Sequence, residues 1–194
     1  WNPFVMKSIK LISFLVIFLS GTFFFYQAGA HDKPSRANLL PKMYPAPEFT
    51  GLENWINSSE IRSMRELRGK VVLIDFWTFG CINCIHTLPH VQKWHQAYKD
   101  HGLVVLGIHA PEFNYERKLE NVIAAVKWFG LTFPVAIDNK FKLWRAYKNR
   151  FWPAMYLVDK DGIVRYMHFG EGRYQETEAA IIYLLNKKHP ASSG

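Results

Sequence analysis

Val71-Val72-Leu73-Ile74-Asp75-Phe76-Trp77-Thr78-Phe79-Gly80-Cys81-Ile82-Asn83-Cys84 is the stretch that decides how this chain folds. Its first seven residues are apolar but for one acid, the pattern of a central strand buried on both faces. Gly80 breaks the run. From Cys81 to about Tyr98 the apolar spacing turns helical, with Cys84, Leu88, Val91, His95 and Tyr98 recurring at intervals of three and four. A buried strand therefore runs straight into a helix whose first turn carries two cysteines.

Further along, Leu103 to Ile108 reads as a second strand and Phe133 to Ile137 as a third. Leu119, Val122, Ile123, Val126 and Phe129 mark an amphipathic helix between them. A short helical piece around Phe141 to Tyr147 leads to Trp152-Pro153. Met155 to Val158 and Ile163 to His168 then pair across Asp161-Gly162, a hairpin turn signal. A last helix covers about Tyr174 to Lys187. The alternation places the chain in the α/β class, as a mixed sheet with helices on both faces and a βαβ insert.

The 194 residues point to one folded domain. Hydrophobic residues at 49% against charged residues at 21% supply a packed core and exclude a disordered chain. Two cysteines are too few for a multiply cross-linked scaffold or a four-cysteine zinc site. The net charge of +8 comes from scattered basic residues, which reads as a solvated surface and not as a nucleic-acid site.

At the amino terminus, Met6, Lys7 and Lys10 form a short positive region. The uncharged stretch Leu11 to Tyr26 follows, and Ala28-Gly29-Ala30 offers the small residues a signal peptidase needs. Residues 1–30 are expected to be a signal peptide or, uncleaved, an N-terminal membrane anchor, since the uncharged run is just long enough to span about 30 Å of hydrocarbon. Export would place the domain in the periplasm or on the outer face of the inner membrane. Residues 31–60, with Pro34, Pro41, Pro45 and Pro47, read as an extended lead-in or tether, and residues 61–190 as the folded domain.

The chemistry is expected at Cys81-Ile82-Asn83-Cys84. Free N–H groups and the helix dipole at a helix start stabilise a thiolate there, so the first sulfur should be the acidic, exposed one. Several other uses share a C-x-x-C pair. Covalent haem attachment needs a histidine directly after the second cysteine, where Ile85 stands. Zinc or Cu(I) binding would recruit His86 or His90, which at ~100° per residue lie well round the helix from Cys84. Thr78, three residues before Cys81, fits the end of a thiol peroxidase pattern whose proline position is Ile74 here. A purely structural disulfide across so small a ring would stabilise little. Asp75, an acid in an otherwise apolar strand, should have a raised pKa and could exchange a proton with Cys84, or could be a hydrogen-bonded core acid. Glu112 and the Gly170-Glu171-Gly172 turn are weaker candidates for the border of the site.

Val72 to Trp77, Cys81 to Cys84, Pro89 and Trp152-Pro153 together resemble the thioredoxin superfamily in order and spacing, over about residues 61–188. The insert between Leu103 and Ile137 and the export segment are similar to the TlpA/ResA-like extracytoplasmic branch. FWTFGCINCIHTLPHV, HAPEF, FPVAIDN and HFGEG resemble the redoxin domain of DipZ-type proteins. The resemblance implies a thiol-disulfide oxidoreductase with no metal or other cofactor, Cys81 as nucleophile, Cys84 as resolving thiol and Asp75 as proton-transfer group. It further implies that Pro153 forms a cis bond, with Trp152 and Pro153 meeting the substrate. The implied partners are protein or small thiol and disulfide substrates and a membrane electron donor, with a possible membrane tether. Gly80 stands where the family has a tryptophan, and Ile82-Asn83 replaces the usual Gly-Pro.

Overall fold

The computed structural model describes residues 40–58, 61 and 63–187. Residues 1–30, the expected export segment, lie outside them, and no described helix is long and apolar enough to cross a membrane.

Six strands form one mixed sheet: β1 (Glu53–Ile56), β2 (Val71–Trp77), β3 (Leu103–His109), β4 (Val135–Ile137), β5 (Ala154–Val158) and β6 (Val164–Phe169), in the spatial order β1-β4-β3-β2-β5-β6. β2, β3 and β4 run parallel, while β1, β5 and β6 pair antiparallel to their neighbours. Among the described residues four α-helices accompany the sheet: α1 (Ile82–Tyr98), α2 (Leu119–Trp128), α3 (Lys142–Ala146) and α4 (Tyr174–Asn186).

β2 explains its own composition. All seven of its residues are buried, and they alternate between two cores. Val71, Leu73 and Trp77 pack with Cys84, Leu88, Val91 and Trp94 of α1 and with Ala180, Ile181 and Leu184 of α4. Val72, Ile74 and Phe76 face the opposite side, against Met64, Leu67, Leu143, Trp144 and Tyr147. A strand covered on both sides has no solvent face, so the period of two disappears from its sequence. Within α1 the buried stripe runs through Trp94, whereas His95 is only partly covered and its Nδ1 makes no hydrogen bond.

The lead-in expectation needs correction over residues 40–58. Glu53–Ile56 is an edge strand on β4, and Tyr44, Phe49, Leu52 and Trp55 pack on the second core. Residues 43–46 lie along the start of β6, with hydrogen bonds from Met43 N to Val164 O (3.0 Å), Val164 N to Tyr44 O (2.9 Å) and Ala46 N to Gly162 O (2.9 Å). Proline-rich sequence hid this edge pairing, because an edge residue needs only half of its backbone groups in the ladder. The hairpin between β5 and β6 turns at Gly162, whose φ of 72° suits a residue without a side chain.

Candidate active site

The parallel strands β2 and β3 end together, Trp77 opposite His109. β5 runs the other way beside β2, with Ala154 opposite Phe76, so Pro153 and Trp152 arrive at the same end of the sheet. α1 starts there. Chain direction alone thus gathers Cys81, Cys84 and the Trp152-Pro153 segment at one edge.

Cys81 is the N-cap of α1, partly exposed, and its Sγ accepts the Cys84 N–H at 3.3 Å. A sulfur in that position takes one of the helix's unpaired donors, which suits a negatively charged sulfur. Cys84, one turn on, is 1% exposed within the first core. Burial, the bond from Cys81 and the nearby charge of Asp75 push its thiol far above the ordinary range. Both cysteines are free.

Asp75 faces that same core and is 1% exposed. Neither carboxyl oxygen has a hydrogen-bond partner among the described residues, so the hydrogen-bonded core acid considered from sequence is not what is found there. Loss of solvent raises its pKa to about 7. The Trp152-Pro153 peptide bond is cis. The Trp152 ring is committed inward, since Nε1 donates to Ala110 O (3.0 Å) and the ring lies 4.3 Å from that of Trp144. The Pro153 carbonyl accepts the Gly170 N–H (2.8 Å), which sets the glycine turn beside it. Glu171 of that turn pairs with His86 at 3.2 Å, and His90 stacks on Tyr174 at 3.6 Å. Both histidines a metal reading would recruit thus have other partners. α1 continues through Pro89.

Two buried polar residues of the site are absent from the sequence-based set. His109 is fully buried, held by stacking on Phe79 and a 3.3 Å contact from Nε2 to Thr78 Oγ1. Burial lowers its pKa to about 4, so the ring is neutral near pH 7. Glu116 is fully buried too, and its carboxylate accepts the N–H of Gly80, immediately before Cys81. Sequence reading singled out Glu112, which is exposed and contributes only its backbone N–H to Glu116. The available signal was the spacing Phe113-x-x-Glu116, in which a glutamate three residues into a helical turn reaches back to the backbone N–H at its start.

The AhpC/TSA family profile matches residues 44–167. The chain belongs to that family. It is 46% identical to Protein DipZ of Mycobacterium tuberculosis over 147 residues, which cover 75% of this chain and 21% of DipZ. It thus spans about a fifth of the length of that relative. Thiol-disulfide oxidoreductase YkuV of Bacillus subtilis is 29% identical over 73% of this chain and 94% of its own. Among solved structures, a thioredoxin-like superfamily protein at 30% identity superimposes with a TM-score of 0.71, over 76% of this chain and all of its own. This family member therefore has the thioredoxin-like fold expected from its sequence.

Proposed function

We propose that this family member is an exported reductant of protein disulfides, working outside the cytoplasm on electrons from a membrane donor. The observation that carries the reading is the asymmetry of the sulfur pair: Cys81 is partly exposed at a helix start, and Cys84 is buried behind it beside an unpartnered carboxyl. The Cys81 thiolate attacks one sulfur of a substrate disulfide, forming a mixed disulfide and releasing a substrate thiolate. Cys84 loses its proton to Asp75, whose pKa near 7 suits it to take and return a proton at neutral pH. The Cys84 thiolate then attacks the Cys81 sulfur, closing the Cys81–Cys84 disulfide and expelling the second substrate thiolate. Two electrons pass to the substrate, and an external dithiol donor must restore the pair.

The reductant direction is the part of this proposal that the potential decides: strong oxidants of this chemistry stabilise their reduced, thiolate form, and Cys84, pushed far above the ordinary range by burial, stays a neutral thiol near pH 7 and leaves the balance to Cys81. The export reading rests on the positive region, the uncharged stretch and the small residues within 1–30. The fully buried Thr78 hydroxyl, engaged with His109, favours disulfide exchange over the peroxidase alternative, in which it would serve an incoming peroxide. Equilibration of the pair against glutathione and dithiothreitol tests the direction. A potential below that of the glutathione couple supports a reductant, and a pair that stays reduced in oxidising glutathione buffer overturns it. A reporter active only outside the cytoplasm, fused after Gly194, tests the export.

A further inference from the structure

The connection between β3 and α2 carries a buried acid that exchange between Cys81 and Cys84 does not use. Glu116 accepts the Gly80 N–H on Oε1 at 2.8 Å, and the N–H groups of Glu112 and Phe113 on Oε2 at 2.6 and 2.8 Å. No cation forms an ion pair with it among the described residues. Backbone donors alone hold this carboxylate, and one of them belongs to the residue before the nucleophile.

The same contact explains why residue 80 is glycine. A Cβ there would lie 2.5 Å from Glu116 Oε1 and 2.8 Å from Tyr115 Oη, closer than real atoms approach. Tyr115 therefore fills the place a side chain at 80 would take. It is half-exposed, stacked parallel on Phe113 at 5.7 Å and tilted against Phe79 at 5.8 Å. From within, His109 stacks on Phe79 and bonds Thr78, so residues 78–80 are gripped on both sides.

We propose that Glu116 is a positioning residue for Cys81, and that Tyr115, held beside Gly80 by this anchor, determines specificity by meeting the polypeptide that flanks a substrate disulfide. This rests on the reading of the protein as a reductant of protein disulfides. The chemistry fits an extended chain, because an exposed aromatic face suits a mixed apolar and peptide surface. At about 3.3–3.6 Å per residue, the neighbour of an attacked cysteine reaches one residue's breadth from Cys81. A small non-peptide disulfide carries no polypeptide flank to make that contact.

The experiment compares wild type, Tyr115→Ala, Tyr115→Phe and Glu116→Gln on a cyclic disulfide peptide and on 2-hydroxyethyl disulfide, and follows the pH profile of Cys81 alkylation by iodoacetamide. Tyr115→Ala should raise KM for the peptide about fivefold with little change in kcat, leaving the small disulfide and the alkylation profile unchanged. Tyr115→Phe should stay near wild type. Glu116→Gln keeps the volume but removes a buried negative charge, so the profile should move about half a unit or more to lower pH, with KM for the peptide raised as well. If Glu116→Gln does not fold, Gly80→Ala, whose new methyl displaces the carboxylate, should move the profile too. Equal losses on both disulfides, or none, for Tyr115→Ala would overturn the contact. A stability loss with an unmoved profile would reduce Glu116 to a structural role. A wild-type protein that reduces neither disulfide defeats the reductant reading instead.

Discussion

Two acids buried in the same sheet have opposite surroundings. Asp159, at the end of β5, receives Arg165 Nη1 at 2.8 Å and the N–H groups of Asp161 and Ile163 at 3.0 Å. Asp75, in the middle of β2, receives no hydrogen bond among the described residues. The first belongs to the hairpin that also ties down the lead-in, since Arg165 Nε donates to Pro41 O at 2.9 Å and its second terminal nitrogen donates to Leu40 O. The second lies beside the buried Cys84. Buried polar atoms are almost always paired, and a group left unpaired is a cost that a stable fold tolerates where the chemistry uses it. One end of the sheet was built for stability, and the other gives some of it up.

The largest contrast is chemical. Cys81→Ser should bring disulfide turnover to background, whereas Cys84→Ser should still attack and accumulate an unresolved mixed disulfide, visible by mass spectrometry as a substrate adduct on Cys81. Equal trapping by both variants would reverse the assignment of attacking and resolving sulfur.

Next come the two acids, whose removal should act with opposite signs. Asp159→Ala leaves the Arg165 guanidinium buried without its partner, and the expected loss is about 3–5 kcal/mol in urea denaturation. Asp75→Asn should instead stabilise. The folded-state pKa of Asp75 is raised from 3.8 to about 7, so the native state binds the proton more tightly than the unfolded chain. Its penalty is absent below pH 4, grows as pH rises and is complete above pH 7, where it amounts to about 4 kcal/mol. The gain from Asp75→Asn should therefore be near that size at pH 8 and vanish at pH 4, while turnover at neutral pH falls. A destabilised Asp75→Asn protein would show that Asp75 is a structural acid like Asp159.

The smallest effect sharpens the pH argument. His109 has its pKa lowered to about 4 by burial, so the unfolded chain takes up its proton first as pH falls through 6.5. Acidification from 6.5 to 4 should cost about 3 kcal/mol from this residue. In the wild type, protonation of Asp75 over the same window offsets that loss. In Asp75→Asn the acid-induced fall should stand alone, and a flat stability profile in that variant would show that His109 is not held neutral.

Local pattern made most of this molecule legible. β2, α1, β3, α2 and the β5–β6 hairpin follow from periodicity and turn residues, because burial on one or two faces writes itself into the spacing of apolar side chains. Cys81 and Cys84 were legible because the pair sits where a buried strand meets a helix. Asp75 was legible as an exception, the one acid in an apolar run. The edge strand Glu53–Ile56 was not, since a short strand with a positive φ at Asn54 and prolines upstream carries no periodic signal.

By itself the sequence determined the α/β class, the place of the cysteine pair and the isolated acid, all of which depend on neighbours along the chain. Only the tertiary structure decided that Glu116 and not Glu112 enters the candidate site, that Asp75 lacks a partner among the described residues, and that Gly80 makes room for Tyr115. Each of these is a contact between segments far apart in the chain. Spacing within one element records which way a side chain points, and it carries no record of what another element brings to meet it.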